Sequence, residues 1–176
     1  MRVAVVSGSL HPLSRSRVMA RETLAAFERQ GAQAEWIDLR ETELPLCDGT
    51  ANSRVGDVAR LAEALGAAAA IVVALPIYNY DVSAAVKNLV EQTGRAWTDK
   101  VVGFLCAAGG RSSYMSVMGL ANSLMLDFRC VVVPRFVYAT TADFGGDRTE
   151  AMELTSDEVR ARIDELAREV LRLARG

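Results

Sequence analysis

The sequence predicts an α/β domain in which a five-stranded parallel sheet carries helices on both faces. Five short runs rich in apolar and β-branched residues alternate with helix-spaced segments along the chain, the pattern of parallel strands joined by right-handed crossovers. The third run, Ala69–Leu75 (AAIVVAL), is apolar at every position, as a strand covered on both faces must be. A length of 176 residues suits a single domain over 1–176 with enough chain to bury a substantial core.

Val3-Ala4-Val5-Val6 is too brief for a helix and reads as a buried first strand. The chain then passes Ser7-Gly8-Ser9 and Pro12 and turns helical near Ser14; Val18, Leu24 and Phe27 share one side of this helix, which Gly31 closes. Ala34–Leu39 forms the second strand, and a polar, loop-like stretch follows from Arg40 to about Arg54. Val58, Leu61 and Leu65 mark a short second helix ending at Gly66. Pro76 is expected to stop the third strand. Ala84–Thr93 is the third helix, with Gly94 beyond its end, and Val101–Cys106 is the fourth strand. A fourth helix is expected from about Ser113 to Leu126, and a fifth strand over Cys130–Val133. From Pro134 to Thr155 no periodicity is visible, and a connection of that length is expected to be functional or engaged by a partner. Thr155 is expected to cap the last helix with Glu158 as its reciprocal partner, and Val159, Ile163, Leu166, Val170 and Leu173 form its apolar stripe.

A net charge of −2 without a basic stripe gives no electrostatic footprint for nucleic acid. No apolar run approaches the ~20 residues that span a bilayer, and the start does not read as a signal peptide; a soluble cytoplasmic protein with no membrane partner is expected. Cys47, Cys106 and Cys130 are odd in number and widely spaced, which suits reduced thiols. His11 is the sole histidine, and no metal-ligand spacing occurs.

In such sheets ligands sit beyond the carboxyl ends of the strands, where the strand order reverses. Three loops fall there. The first joins a strand, a hydroxyl-rich turn with Ser7, Ser9, Ser14 and Ser16, and a helix start; free N–H groups and the helix dipole at such a point favour a phosphate. Arg15 and Arg17 are available to balance its charge. Neither G-x-G-x-x-G nor G-x-x-x-x-G-K-[ST] is present, so the phosphate is not obviously that of a dinucleotide or a nucleoside triphosphate. The second loop, Pro76-Ile77-Tyr78-Asn79-Tyr80, sets two aromatics and an amide on a turn, a surface for a flat heterocycle such as an isoalloxazine. The third, Ala107–Ser113, contains Gly109-Gly110, which lets backbone approach a ligand closely. Each alone also reads as ordinary turn chemistry, with Ser14 a simple N-cap; together they suit one ligand.

Gly8-Ser9-Leu10 with Ser14 and Ser16, Pro76-Ile77-Tyr78-Asn79 with Lys87-Asn88, and the strand leading into Gly109-Gly110 resemble the NAD(P)H-dependent FMN reductases of the flavodoxin-like superfamily, relatives of azoreductases and quinone reductases. The resemblance extends to about Tyr138. It implies a flavodoxin-like three-layer sandwich with strand order 2-1-3-4-5, FMN as cofactor and NADPH or NADH as co-substrate. Ser9, Ser14 and Ser16 would hold the phosphate, with Arg15 nearby. Pro76, Ile77, Tyr78 and Asn79 would line the flavin ring, and Ala108, Gly109, Gly110 and Arg111 would meet its other side. His11 stands where many members carry arginine, which alters the charge available at the phosphate.

The reaction so implied passes a hydride from nicotinamide to flavin and on to free flavin, a quinone or an azo compound. The cofactor carries that chemistry, so no side chain is named as a proton-transfer residue. The resemblance also implies a homodimer or homotetramer, and a monooxygenase as a partner receiving reduced flavin. The fourth helix, with Met115, Met118, Leu120, Leu124 and Met125, has more apolar positions than one buried face requires; a subunit interface and packing beneath the long connection both account for it. Two other readings remain. One is a flavodoxin-type electron carrier, although carriers resemble a T-x-T-G-x-T loop on a strongly acidic body. The other is a flavin-free binding protein that kept only the fold.

Overall fold

Strand β1 (Arg2–Ser7) pairs in parallel with β2 (Gln33–Asp38) on one side and with β3 (Ala70–Tyr78) on the other. The computed structural model describes residues 1–50 and 55–175. A two-residue strand, β4 (Asp81–Val82), folds back antiparallel onto the end of β3, whose other neighbour is β5 (Val101–Ala107). Beyond β5 the edge position is shared by β6 (Val131–Val132) and β7 (Val137–Ala139), both parallel to it. With β4 set aside, the strand positions run 2-1-3-4-5, the flavodoxin-like order.

Successive side chains of β1 go to opposite faces. Val3 and Val5 pack in the layer of α1 (Arg15–Arg29) and α5 (Asp157–Leu173); Ala4 and Val6 pack in the layer of α2 (Val58–Ala67), α3 (Ala84–Thr93) and α4 (Met118–Phe128). Both faces are covered, and so β1, β3 and β5 read as continuous apolar runs.

Pro76 does not end β3, which continues through it to Tyr78. Residues 74 and 76 turn their backbone polar groups toward β1, and the last bond on that side is Gly8 N–H to the Ala74 carbonyl at 2.7 Å. The Gly8 carbonyl, the next acceptor along that edge, is taken by the Ser83 hydroxyl at 2.9 Å, so the missing N–H of Pro76 leaves no acceptor unpaired there. The fifth strand is also split. The chain leaves the edge at Pro134 and Arg135, the latter with a left-handed φ of 59°, and rejoins β5 as β7.

The stretch after Pro134 is therefore structured. After β7 comes a one-turn 3-10 helix, Thr141–Asp143, whose N-terminal end is closed reciprocally by Thr140 and Asp143. A hairpin of β8 (Phe144–Gly145) and β9 (Glu153–Leu154) follows. The cap of α5 is Ser156, whose hydroxyl accepts the Val159 N–H at 3.3 Å, and not Thr155. The Thr155 hydroxyl instead donates to the Asp143 carbonyl at 3.1 Å, tying down the hairpin's exit. The fourth helix starts later than its composition suggests. Arg111–Val117 is 3-10, with Ser113 off helical geometry, and α4 begins at Met118. The polar loop begun at Arg40 ends on residues 51–54, which lie outside the described residues.

Candidate functional site

The first loop is pressed against β3 and α3 from its first residue. Gly8 donates to Ala74, and its carbonyl accepts the Ser83 hydroxyl at 2.9 Å. A Cβ at Gly8 would lie 2.3 Å from Val86 Cγ2 and 3.0 Å from the Ala74 carbonyl, so no residue with a side chain fits without a shift. The turn beyond is folded by its own side chains. Ser9 Oγ accepts the His11 N–H at 3.2 Å, and His11 Nδ1 accepts the Leu13 N–H at 3.0 Å.

Ser14 occupies the N-cap of α1 in extended conformation, yet its side chain makes no capping bond. It bonds the Ser16 hydroxyl at 2.8 Å, and among the described residues neither takes another partner. Two buried hydroxyls and the uncapped first turn of a fifteen-residue helix are the kind of donor set that receives an anion. The arginines expected there are already engaged. Arg17 turns to Asp38 and Glu41, at 2.8 and 2.6 Å. Arg15 meets Asp147 in two parallel bonds, Nε to Oδ1 at 2.8 Å and Nη2 to Oδ2 at 2.6 Å. That guanidinium holds the Asp147 carboxyl below the usual carboxylate range.

In the second loop Asn79 and Tyr80 adopt left-handed φ of 52° and 62°, which turns the chain back into β4 and leaves Tyr78 and Tyr80 exposed at the rim. The Tyr80 and Ser112 hydroxyls, 3.1 Å apart, join this loop to the third. The third loop is held from beyond β7. Ala108 N–H donates to the Ala139 carbonyl at 2.9 Å, and the Tyr138 hydroxyl donates to the Gly110 carbonyl at 2.5 Å while lying 2.8 Å from Ser113 Oγ. Tyr114 stacks on Phe136 with ring centroids 4.6 Å apart.

These segments enclose one cleft of about 430 Å³, in the range of small-molecule sites. Ser14, Arg15 and Ser16, then Pro76, Ile77, Tyr78 and Asn79, then Ala108 and Gly109 line it. Ser9, His11, Gly110 and Arg111 do not line it. Ser9 and His11 shape the turn, Gly110 gives its carbonyl to Tyr138, and Arg111 is exposed. Two participants escaped the sequence reading: Arg148, which lines the cleft, and Asp147, which pairs with Arg15. Their one sequence signal is Gly145-Gly146-Asp147, turn residues that mark a hairpin tip.

A larger hollow of about 800 Å³ lies between the later turns of α3 and α4, lined by charged side chains such as Glu91, Arg95 and Asp127. Those turns lie toward the amino ends of the strands, away from the ligand end of such sheets. Thiol chemistry has no support at the cleft: burial pushes Cys106 up to about 12 and Cys130 up to about 11. The arrangement can bind an anion beside a flat heterocycle and hold both against rigid backbone.

Comparison with known proteins places the chain in a family. The pattern of the family described as NADPH-dependent FMN reductase matches residues 1–144. A NAD(P)H-dependent FAD/FMN reductase of Geobacillus thermodenitrificans is 28% identical over 177 residues, covering 98% of this chain and 93% of the relative. An oxidoreductase structure from Corynebacterium diphtheriae superposes with a TM-score of 0.76 at 25% identity, covering 98% of this chain and 96% of that one. The NAD(P)H:(acceptor) oxidoreductase FerB of Paracoccus denitrificans shares the fold, with a TM-score of 0.77 at 16% identity over 99% of this chain and 97% of that one. The matched pattern runs from β1 to the start of the hairpin and takes in all three loops of the cleft, and the chain belongs to the NADPH-dependent FMN reductase family.

Proposed function

We propose that the cleft holds FMN with its phosphate at the N-terminus of α1 and its ring system against Pro76–Asn79, facing Ala108 and Gly109. The observation that carries this is the pair of buried hydroxyls, Ser14 and Ser16, bonded to each other at an uncapped helix start inside the same cleft as the Tyr78–Asn79 turn. FMN held there would supply the redox chemistry between NADPH or NADH and a second acceptor. The protein's part is to bind, orient and exclude water. Ser83 and Ala74 fix the first loop, the left-handed Asn79 and Tyr80 fix the second, and Tyr138 fixes the third. Ser9, His11 and Gly110 support the loops through their turn contacts, and Arg111 stands exposed beside the third loop.

The acceptor in this reading is a small molecule: free flavin, a quinone or an azo compound, with a monooxygenase drawing on reduced flavin as a protein partner. Exposed Met115, Met118, Met125 and Leu126 on and before α4 support a homodimer or homotetramer that covers this face. The free cysteines support a cytoplasmic location, and no helix among the described residues is long and apolar enough to cross a membrane.

The test is the visible spectrum of purified protein with FMN, followed by anaerobic NADPH and, separately, NADH. Bleaching of the flavin band faster than with free flavin is the expected result. Binding without bleaching would identify an electron carrier, and absence of binding would remove FMN from the cleft.

A further inference from the structure

Of the cations gathered at the first loop, Arg15 is neutralised by Asp147 and Arg17 by Asp38 and Glu41. Arg148 is different. It lines the cleft, and among the described residues no carboxylate oxygen lies within ion-pair distance of its guanidinium. Among the described residues its guanidinium makes one hydrogen bond, from Nη1 to the Leu13 carbonyl at 2.9 Å, on the residue just before the α1 N-cap. A guanidinium has five N–H donors, and a single carbonyl occupies one of them.

The hairpin tip is built to hold this residue there. Gly146 is left-handed at 58°, and a Cβ on it would lie 2.8 Å from the Ala151 carbonyl. The Thr149 hydroxyl closes the turn on the Gly146 carbonyl at 2.6 Å. Arg148 itself has a φ of 60°, a conformation disfavoured for a side-chain-bearing residue. The Asp147–Arg15 pair pins the tip to the first turn of α1. Adjacent residues then divide the work: Asp147 takes Arg15 in a direct two-bond pair, and Arg148, whose charge reaches Asp147 only through space, keeps its remaining guanidinium donors for the cleft.

We propose that Arg148 is the phosphate-selecting residue of the cleft, reaching from the β8–β9 hairpin to the anion that Ser14, Ser16 and the α1 N-terminus receive. This rests on the flavin reading of the cleft. It makes the hairpin a binding element and assigns discrimination between FMN and unphosphorylated riboflavin to a side chain outside the first loop.

Apoprotein titrated separately with FMN and with riboflavin, read by quenching of flavin fluorescence, tests it without turnover. For Arg148→Ala, FMN affinity should fall on the order of tenfold to a hundredfold, as for loss of a charge-assisted hydrogen bond, while riboflavin affinity holds. Arg148→Lys should recover part of the loss. Equal losses for both flavins, or an unchanged FMN affinity, would overturn the assignment. So would an unchanged FMN affinity joined to a KM raised for NADPH but not NADH, which would give the residue to the nicotinamide nucleotide. Wild-type apoprotein that binds riboflavin as tightly as FMN would leave the flavin reading standing and remove phosphate selection. Wild-type apoprotein that binds neither would remove both.

Discussion

Arg15 and Asp147 lie 132 positions apart in the chain and meet side-on in two parallel hydrogen bonds of 2.8 and 2.6 Å. The pair joins the first turn of α1 to the tip of the β8–β9 hairpin, so the same contact that shapes the Ser14–Ser16 end of the cleft also holds the hairpin in place.

Asp147→Asn should lower stability at pH 7 by about 0.5–1 kcal/mol, the scale of a well-aligned ion pair with solvent access. The folded-state carboxyl is depressed, so the contribution is present above the unfolded aspartate value of roughly 3.9 and fades as pH falls through the lower folded value. Urea unfolding of wild type and variant should differ at pH 7 and converge toward pH 3. A difference that persists or grows in acid would contradict this.

Gly8→Ala should cost about 1–3 kcal/mol through overpacking, because the new methyl would meet Val86 Cγ2 at 2.3 Å. Flavin binding should weaken with it, since the first loop must move. Adding Val86→Ala should restore part of both. Chemical denaturation and flavin titration of the single and double variants form the cycle that checks it.

Ser14→Ala should change stability by well under the ~1 kcal/mol usual for removing an N-cap, because the Ser14 hydroxyl caps nothing and bonds only Ser16 among the described residues. Its effect should fall on FMN affinity and spare riboflavin. A Tm lowered by several degrees with FMN binding intact would assign Ser14 a purely structural role.

Tyr138→Phe removes the hydroxyl that meets both the Gly110 carbonyl and Ser113. The expected loss is about 1 kcal/mol, with faster amide hydrogen exchange confined to the third loop, residues 109–115. Exchange unchanged in that loop would show that the Tyr114–Phe136 stack suffices to hold it.

The apolar runs of β1, β3 and β5 and the stripe of α5 were legible because burial on fixed faces writes a period into the sequence. The three loops that meet at the cleft were legible as turns because turn chemistry is local. Pro76 was misread for a geometric reason. Its lost N–H matters only if a free acceptor faces it, and here the Ser83 hydroxyl has taken the Gly8 carbonyl. Ser156 and Thr155 are adjacent hydroxyls, and only the position of the Asp143 carbonyl sends one to the hairpin and leaves the other to cap α5. Strands β7, β8 and β9 are two or three residues long, too short to show alternation. Asp147 and Arg148 reach the cleft by a tertiary approach that no local spacing encodes.

The split edge of the sheet has a consequence for how the chain keeps company with copies of itself in the crowded state. An uninterrupted outer strand is a template for further strands and so for fibrillar stacking. Here β6 offers two residues, Pro134 has no N–H to give, Arg135 bends out of line, and its carbonyl is already taken by Arg162 Nη2 at 2.6 Å. What remains on that flank is too short and too interrupted to recruit a foreign strand, so the kink that delays β7 also protects the protein from growing a sixth.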